Sequence, residues 1–153
     1  MKKRIISAVI LLLICSVSVF SNELRMRPST EFFEEKFMTL PGYREANMQK
    51  SMPEIYQKAY DVGAKDILVY TATDGSAREF AIIEMKEDNL NPNGIIEVMK
   101  ERLSEKEAEF AGNEAEIVRI SDSRTVAKGK MVVMAVYDSE RTAENLIHAV
   151  FDH

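Results

Sequence analysis

The fold is decided by residues 67–85, which read ILVYTATDGSAREFAIIEM. This stretch contains two runs rich in β-branched and aromatic residues, at 67–71 and 80–85, and such runs favour strands. Asp74 and Gly75 lie between the runs and are a strong hairpin signal, because both residue types tolerate the positive φ of tight turns. The stretch therefore predicts two neighbouring antiparallel strands.

Helical patterns lie on both sides of this hairpin. A short helix is predicted to begin at Ser29 or Thr30, either of which can cap it, and to end near Met38. A second helical stretch is predicted over residues 53–60. After the hairpin, residues 93–110 combine an apolar stripe with a charged remainder, which is typical of a surface helix. The charged remainder comprises Lys100, Glu101, Arg102, Glu105 and Lys106.

The C-terminal part of the chain repeats this plan. Residues 116–120 have the composition of a strand, and a tight pair of strands is predicted at 125–127 and 131–137. The dipeptide Lys128-Gly129 supplies the turn between that pair.

A last helix follows, capped by Asp138 or Ser139. Its apolar face comprises Ala143, Leu146, Ile147, Val150 and Phe151. Together the segments predict an α+β fold, a mainly antiparallel sheet with helices packed on one face, in the order α-α-β-β-α-β-β-α. We expect residues 22–153 to form a single domain. No strand–helix–strand unit carries a glycine-rich turn, so a nucleotide-binding fold is disfavoured.

Composition excludes several classes of protein. The chain has 153 residues, 46% of them hydrophobic, with 20 Lys and Arg against 25 Asp and Glu. A polar disordered tail could not reach this hydrophobic content. The formal net charge of −5 argues against nucleic acid as a partner, because nucleic-acid binders need a basic footprint. One Cys allows neither a disulfide framework nor a thiolate zinc cluster.

The first residues have the pattern of a bacterial secretory signal. A basic start, MKKR, precedes an apolar run at 5–20 that is shorter than the roughly 20 residues of a spanning helix. Val19 and Ser21 suit the positions before a cleavage site, so residues 1–21 are predicted to be removed before Asn22. An uncleaved N-terminal anchor is the alternative. Either reading predicts an extracytoplasmic protein, secreted, periplasmic or associated with the cell envelope.

Cys15 has two interpretations. It lies where a lipoprotein signal carries its acylated Cys, but Ile14 before it is bulky where a small residue is normal. The simpler interpretation makes Cys15 an apolar residue of the signal core. Membrane association is therefore expected only through an uncleaved signal or a lipid on Cys15.

A loop of asparagines offers a weak candidate for metal binding. Asn89, Asn91 and Asn93 alternate and are followed by a glycine, like the start of a calcium loop. The twelfth position should be a bidentate Glu and is Lys100 instead. In the alternative interpretation, Asn91 or Asn93 caps the helix that follows. We therefore predict no metal ligands and no cofactor, with these three Asn residues as weak candidates only.

Other ionisable residues are expected to be solvated. Glu101, Glu105 and Glu109 repeat every fourth residue on the long helix, where interleaved cations such as Arg102 favour surface ion pairs. His148 lies opposite the apolar face of the last helix and is predicted to be exposed. The sequence therefore identifies no catalytic residue.

Four short patterns occur in one order along residues 60–151. They are YDV at 60–62, REFAIIE at 78–84, ERL at 101–103 and AKGKMVV at 127–133. In this order they resemble the bacterial family named domain of unknown function 4358. The resemblance implies a small exported protein, often lipid-anchored. The family has no assigned activity, so the resemblance assigns no catalytic residue.

These observations predict a non-enzymatic protein-interaction domain of the bacterial envelope, whose partner is another envelope protein. The partner is expected to dock on the exposed edge of the sheet or on the charged face of the helix at 93–110. A small-ligand or cation-binding module is the alternative. A hydrolase, with a site gathered from distant segments, is a third possibility.

Overall fold

A computed structural model of the chain describes residues 29–40 and 47–151. The described helices and strands are, in chain order, α1 (Thr30–Thr39), β1 (Met48–Ser51), a 3-10 turn (Glu54–Gln57), α2 (Lys58–Asp61), β2 (Ala64–Ala72), β3 (Glu79–Met85), α3 (Asn93–Glu109), α4 (Glu114–Ser121), β4 (Arg124–Lys128), β5 (Met131–Val136) and α5 (Glu140–Phe151). The predicted signal and Cys15 lie outside the described residues.

The five described strands form one antiparallel sheet in the order β1-β2-β3-β5-β4. The predicted hairpin is confirmed, with Ile67 paired to Ile83 and Val69 to Ala81. The second predicted pair is also confirmed, because Val126 pairs with Val133 across a two-residue loop that follows Lys128. The chain therefore has the predicted α+β fold with a mainly antiparallel sheet.

Strand β3 lies at the centre of the sheet and is buried along its whole length. Because side chains alternate along a strand, its apolar residues face both sides of the sheet. Ala81, Ile83 and Met85 pack against the 3-10 turn, α2, α3 and α4. Phe80 and Ile82 pack against α1 and α5.

The helices therefore cover both faces of the sheet, and the prediction that they pack on one face is wrong. A strand with a single buried face alternates apolar and polar residues, whereas residues 80–83 are apolar throughout. Such a run needs a helical layer on each side.

Helix α1 begins as its sequence predicts. The Ser29 side chain accepts a hydrogen bond from the Phe32 backbone N–H, which caps the helix. Phe33 and Phe37, one turn apart, are both buried, and the Phe37 ring stacks on the Phe80 ring at 3.9 Å between centroids. This contact fixes α1 to the centre of the sheet.

Two elements of the structure differ from the prediction. The strand predicted at 116–120 is wrong, because these residues belong to helix α4. The Asn113 side chain caps α4 by accepting from the Glu116 backbone N–H. Edge strand β1 has no predicted counterpart, because it is short and polar, with the exposed residues Gln49 and Lys50 at its middle.

Gly63 is the position where the fold depends most directly on a missing side chain. Its φ is +112°, and a Cβ there would lie 2.5 Å from Asn89 Nδ2. Gly112 has a comparable φ of +90°, but a Cβ there would meet nothing within 4 Å. A side chain at Gly112 would therefore introduce backbone strain alone, whereas one at Gly63 would introduce both strain and a steric collision.

We expect Gly112→Ala to lower the free energy of unfolding by about 1–2 kcal/mol, the cost of a left-handed backbone conformation for a residue with a Cβ. Gly63→Ala should lower it further, because Asn89 must also move. Urea denaturation of both variants measures the difference. Equal losses would show that the contact between Gly63 and Asn89 does not constrain the fold.

Candidate functional site

A fully buried carboxylate, Glu79, lies at the start of β3 on the face that carries α3. The Tyr56 hydroxyl donates to Glu79 Oε1 at 2.6 Å. Arg102 donates to Glu79 Oε2 from Nε at 3.1 Å and from Nη2 at 2.8 Å. Lys106 Nζ lies 3.0 Å from the same oxygen. We call these four residues the Glu79 cluster.

The cluster stabilises the ionised form of Glu79. Burial by itself raises the pKa of this carboxyl, but hydrogen bonds from Arg102 and the charge of Lys106 outweigh it, so its pKa lies below the usual value. Burial, together with the neighbouring Glu79 charge, raises the pKa of Tyr56 well above its usual value. The cluster at neutral pH therefore contains a carboxylate, two cations and a neutral phenol.

This arrangement connects three elements. Tyr56 belongs to the 3-10 turn, Glu79 to β3, and Arg102 and Lys106 to successive turns of α3. Lys106 was expected on the charged surface of α3, but only 3% of it is exposed. Because each charge faces an opposite one, the cluster can anchor α3 and the 3-10 turn on the sheet.

A groove of about 520 Å³ lies between the 3-10 turn, the start of α2 and α3, and its lining residue Glu105 contacts Arg102 of the cluster. Its lining comprises Ile55, Lys58, Glu97, Lys100, Glu101, Ser104 and Glu105. Lys58 Nζ lies 2.7 Å from Glu101 Oε2, and both of these lining side chains are more than half exposed. Such exposed ion pairs contribute little energy and exchange readily with solvent. The groove therefore combines solvated charges with the apolar surface of Ile55 and of the lysine stems.

A second buried carboxylate, Glu84, lies near the other end of β3. Lys65 Nζ and Lys130 Nζ donate to its Oε1 at 2.9 and 2.7 Å. Burial raises the pKa of Glu84, but the hydrogen bonds from Lys130 and Lys65 prevail and the pKa lies below its usual value. Glu84 thus joins the β4–β5 turn to the start of β2.

Strand β4 forms one edge of the sheet, and its hydrogen-bonding pattern follows from a contact at its turn. The Met85 N–H donates to the Lys130 carbonyl at 2.7 Å, so the backbone N–H and C=O groups of Lys130 point toward β3. Those of the next residue, Met131, point toward β4. Lys128, paired with Met131, therefore uses its backbone groups toward β5, as do Val126 and Arg124.

By the same alternation, the backbone N–H and C=O groups of Thr125 and Ala127 face outward. No hydrogen bond within residues 29–40 and 47–151 involves these groups. The outward groups of β4 can therefore accept an added strand.

The predicted asparagine loop lies between β3 and α3. Asn89 Oδ1 accepts from the Asn91 N–H at 3.4 Å, and Asn91 Oδ1 accepts from the Asn93 N–H at 3.1 Å. Asn89 also reaches back to the Val62 carbonyl at 3.5 Å. The side-chain oxygens of Asn89 and Asn91 thus shape the approach to α3, where a cation would have to compete with backbone donors.

The other candidate residues are at the surface. His148 is exposed as predicted, with Nε2 3.8 Å from Glu144. The predicted ion pair of Arg102 with Glu105 is present at 3.3 Å, while Glu109 is exposed. Among the described residues, no group of three or more His, Cys, Asp or Glu side chains is placed to hold a metal ion.

Neither buried carboxylate is predicted from the local sequence. Glu79 and Glu84 were included in or beside an apolar run, and a charged residue within such a run is the signal that could have singled them out. Their partners lie 19 to 46 residues away in sequence, a separation that no local pattern connects.

Comparison of the chain with protein-family models, with curated proteins and with solved structures returns no match. The resemblance of residues 60–151 to the domain of unknown function 4358 family stays a prediction. Across the described residues, the longest helices are too short or too polar to cross a membrane.

Glu79→Gln should lower the free energy of unfolding by about 3–5 kcal/mol at pH 7, because Arg102 and Lys106 would be buried without their counter-ion. The folded-state pKa of Glu79 lies below its usual value of 4.5, so the wild-type advantage is complete above that pH and disappears as the pH falls through the folded pKa. Urea denaturation at a series of pH values measures both quantities.

The matched control is Glu105→Gln, which removes a carboxylate that contacts the same Arg102 from an exposed position. We expect a loss of less than about 1 kcal/mol for this variant. A difference between wild type and Glu79→Gln that does not change with pH would contradict an ionised Glu79 in the folded protein.

Proposed function

We propose that this chain is an extracytoplasmic, non-enzymatic protein-interaction domain of the bacterial envelope, and that its partner adds an extended strand to β4. The basic start and the apolar run at 5–20 support export. The observation that carries the docking site is the outward pair of backbone groups on Thr125 and Ala127. Strand addition uses such groups for affinity and neighbouring side chains for specificity.

The two sheet edges differ as docking sites. Strand β1 has four residues, whereas β4 has five and is continuous with the β4–β5 hairpin. The buried Glu84 carboxylate contacts Lys130 in the turn of that hairpin, which constrains the end of the edge. A rigid strand loses less conformational entropy when a partner binds. These features favour β4.

The buried charges support a structural rather than a catalytic role. Glu79 and Glu84 each lie against two cations, which hold them ionised. A general acid at neutral pH requires a raised pKa, and both of these pKa values are lowered. The clusters therefore suit anchoring of the helices and the hairpin.

Affinity capture tests the docking site. Full-length protein with a C-terminal tag would be captured from solubilised envelope of the producing bacterium, and its partners read by mass spectrometry. Ala127→Pro removes one outward N–H and should abolish a saturable interaction, because proline cannot donate to an added strand. Edge strands tolerate proline, so the fold should be kept.

Ala127→Thr is the matched control, since it changes the same exposed side chain and keeps the N–H. We expect it to retain the partner. Circular dichroism of both variants checks that the sheet is intact. A partner that binds Ala127→Pro as well as wild type would place the docking site elsewhere and would favour the charged face of α3.

The export step makes a separate prediction. The intact mass of the native protein should correspond to a chain that starts at Asn22 and has lost residues 1–21. A chain that starts at a lipid-modified Cys15 would instead establish a lipoprotein, and an uncut chain an N-terminal anchor.

A further inference from the structure

Building on the proposed docking at β4, we infer that this edge selects an extended segment with the pattern acidic–any–apolar–any–acidic and rejects a second copy of this chain. The inference concerns which strand the edge accepts. It follows from the side chains that a docked strand would meet.

The side chains of β4 divide by face. Arg124, Val126 and Lys128 pair with Ala135, Val133 and Met131, which belong to the core on the α5 side of the sheet. The three β4 side chains therefore share that face, and Thr125 and Ala127 lie on the other.

An added antiparallel strand would hydrogen-bond to Thr125 and Ala127. Its residues opposite Arg124, Val126 and Lys128 would then occupy non-hydrogen-bonded positions, where cross-strand side chains approach most closely. Those three positions decide which sequences fit. In the partner strand, the residues that face them are every second residue. Because the strands are antiparallel, the residue opposite Lys128 is the first of the three in the partner's sequence.

The chemistry of the three positions is basic, apolar and basic. Lys128 is exposed and lies 5.6 Å from the Phe151 ring centroid, and no ion pair among the described residues involves it. Val126 is half-buried and packs against the core on the α5 side. Arg124 is half-buried and contacts Glu140. Acidic residues at the two ends and an apolar residue between them complement these side chains, with Lys128 the stronger of the two charged positions.

A second copy of the chain has the wrong pattern. The register that uses all outward groups of both copies places a two-fold axis at Val126 and sets each Arg124 opposite Lys128 of the other copy. Like charges directly opposite each other destabilise a strand pair. Reversing one charge should therefore convert β4 into a strand that accepts itself.

Lys128→Glu provides this test with the protein as its own probe. In sedimentation equilibrium at low salt, we expect this variant to dimerise roughly tenfold more tightly than wild type, because two repulsive pairs become attractive. The dimerisation affinity of Lys128→Gln should lie between those of wild type and Lys128→Glu. Adding Ala127→Pro to Lys128→Glu should remove the gain, and so should high salt.

A variant that dimerises no more tightly than wild type would overturn the inference. A gain that survives Ala127→Pro would also overturn it, since association would then use another surface. A tight wild-type dimer that Ala127→Pro disrupts would contradict the rejection of a second copy.

A peptide titration tests the acidic pattern directly. The probes are two synthetic peptides that differ only in charge, with the cores Glu-Thr-Val-Thr-Glu and Lys-Thr-Val-Thr-Lys. The acidic peptide should shift the amide NMR signals of Thr125 and Ala127 in a saturable way, and the basic peptide should not. Lys128→Glu should weaken the response to the acidic peptide. Equal responses, or none to either peptide, would overturn the pattern.

Capture from the envelope separates this inference from the proposed function. A partner lost with Ala127→Pro but retained with Lys128→Glu would keep the docking site and refute the acidic preference. A partner retained with Ala127→Pro would refute the docking site itself.

Discussion

Burial of β3 on both faces is the constraint on which the rest of the structure depends. The strand lies between β2 and β5, so its backbone groups are paired on both sides. Its apolar side chains then require a helical layer above and below the sheet. The 3-10 turn, α2, α3 and α4 form one layer, and α1 and α5 form the other. The three-layer arrangement follows from one continuously apolar segment.

The same burial explains the two charge clusters. Glu79 and Glu84 occupy positions on the most deeply buried strand, where a carboxylate without counter-ions would be costly. Each is matched by two cations from other elements, Arg102 and Lys106 for the first and Lys65 and Lys130 for the second. These contacts connect α3 and the β4–β5 turn to the central strand, because moving either element would separate a buried carboxylate from its cations. Polar groups in this interior thus determine register and position more than net stability.

The interior and the edge have opposite properties. Inside the sheet, backbone and charged groups are paired, and the carboxylates are held in their ionised form. At β4 the backbone groups of Thr125 and Ala127 face outward between two basic side chains. A strand added at this proposed docking edge would leave the interior unchanged, so we expect substitutions at Ala127 and Lys128 to alter binding without altering folding. In the groove between the 3-10 turn and α3, binding and folding are harder to separate. Its lining residue Glu105 contacts Arg102, and Arg102 in turn contacts the buried Glu79.

Local patterns in the sequence by themselves determined the α+β class, the two strand pairs, the capped helix at Ser29, the amphipathic α5 and the exposure of His148. Each depends on spacings of two, three or four residues, which the printed chain displays. The tertiary structure decided the second helical layer, edge strand β1 and the contacts of Glu79 and Glu84 with their cations. These depend on contacts between distant segments. In particular, the face that β3 presents to each layer, and the cations that reach its carboxylates, are defined only once the sheet order is known.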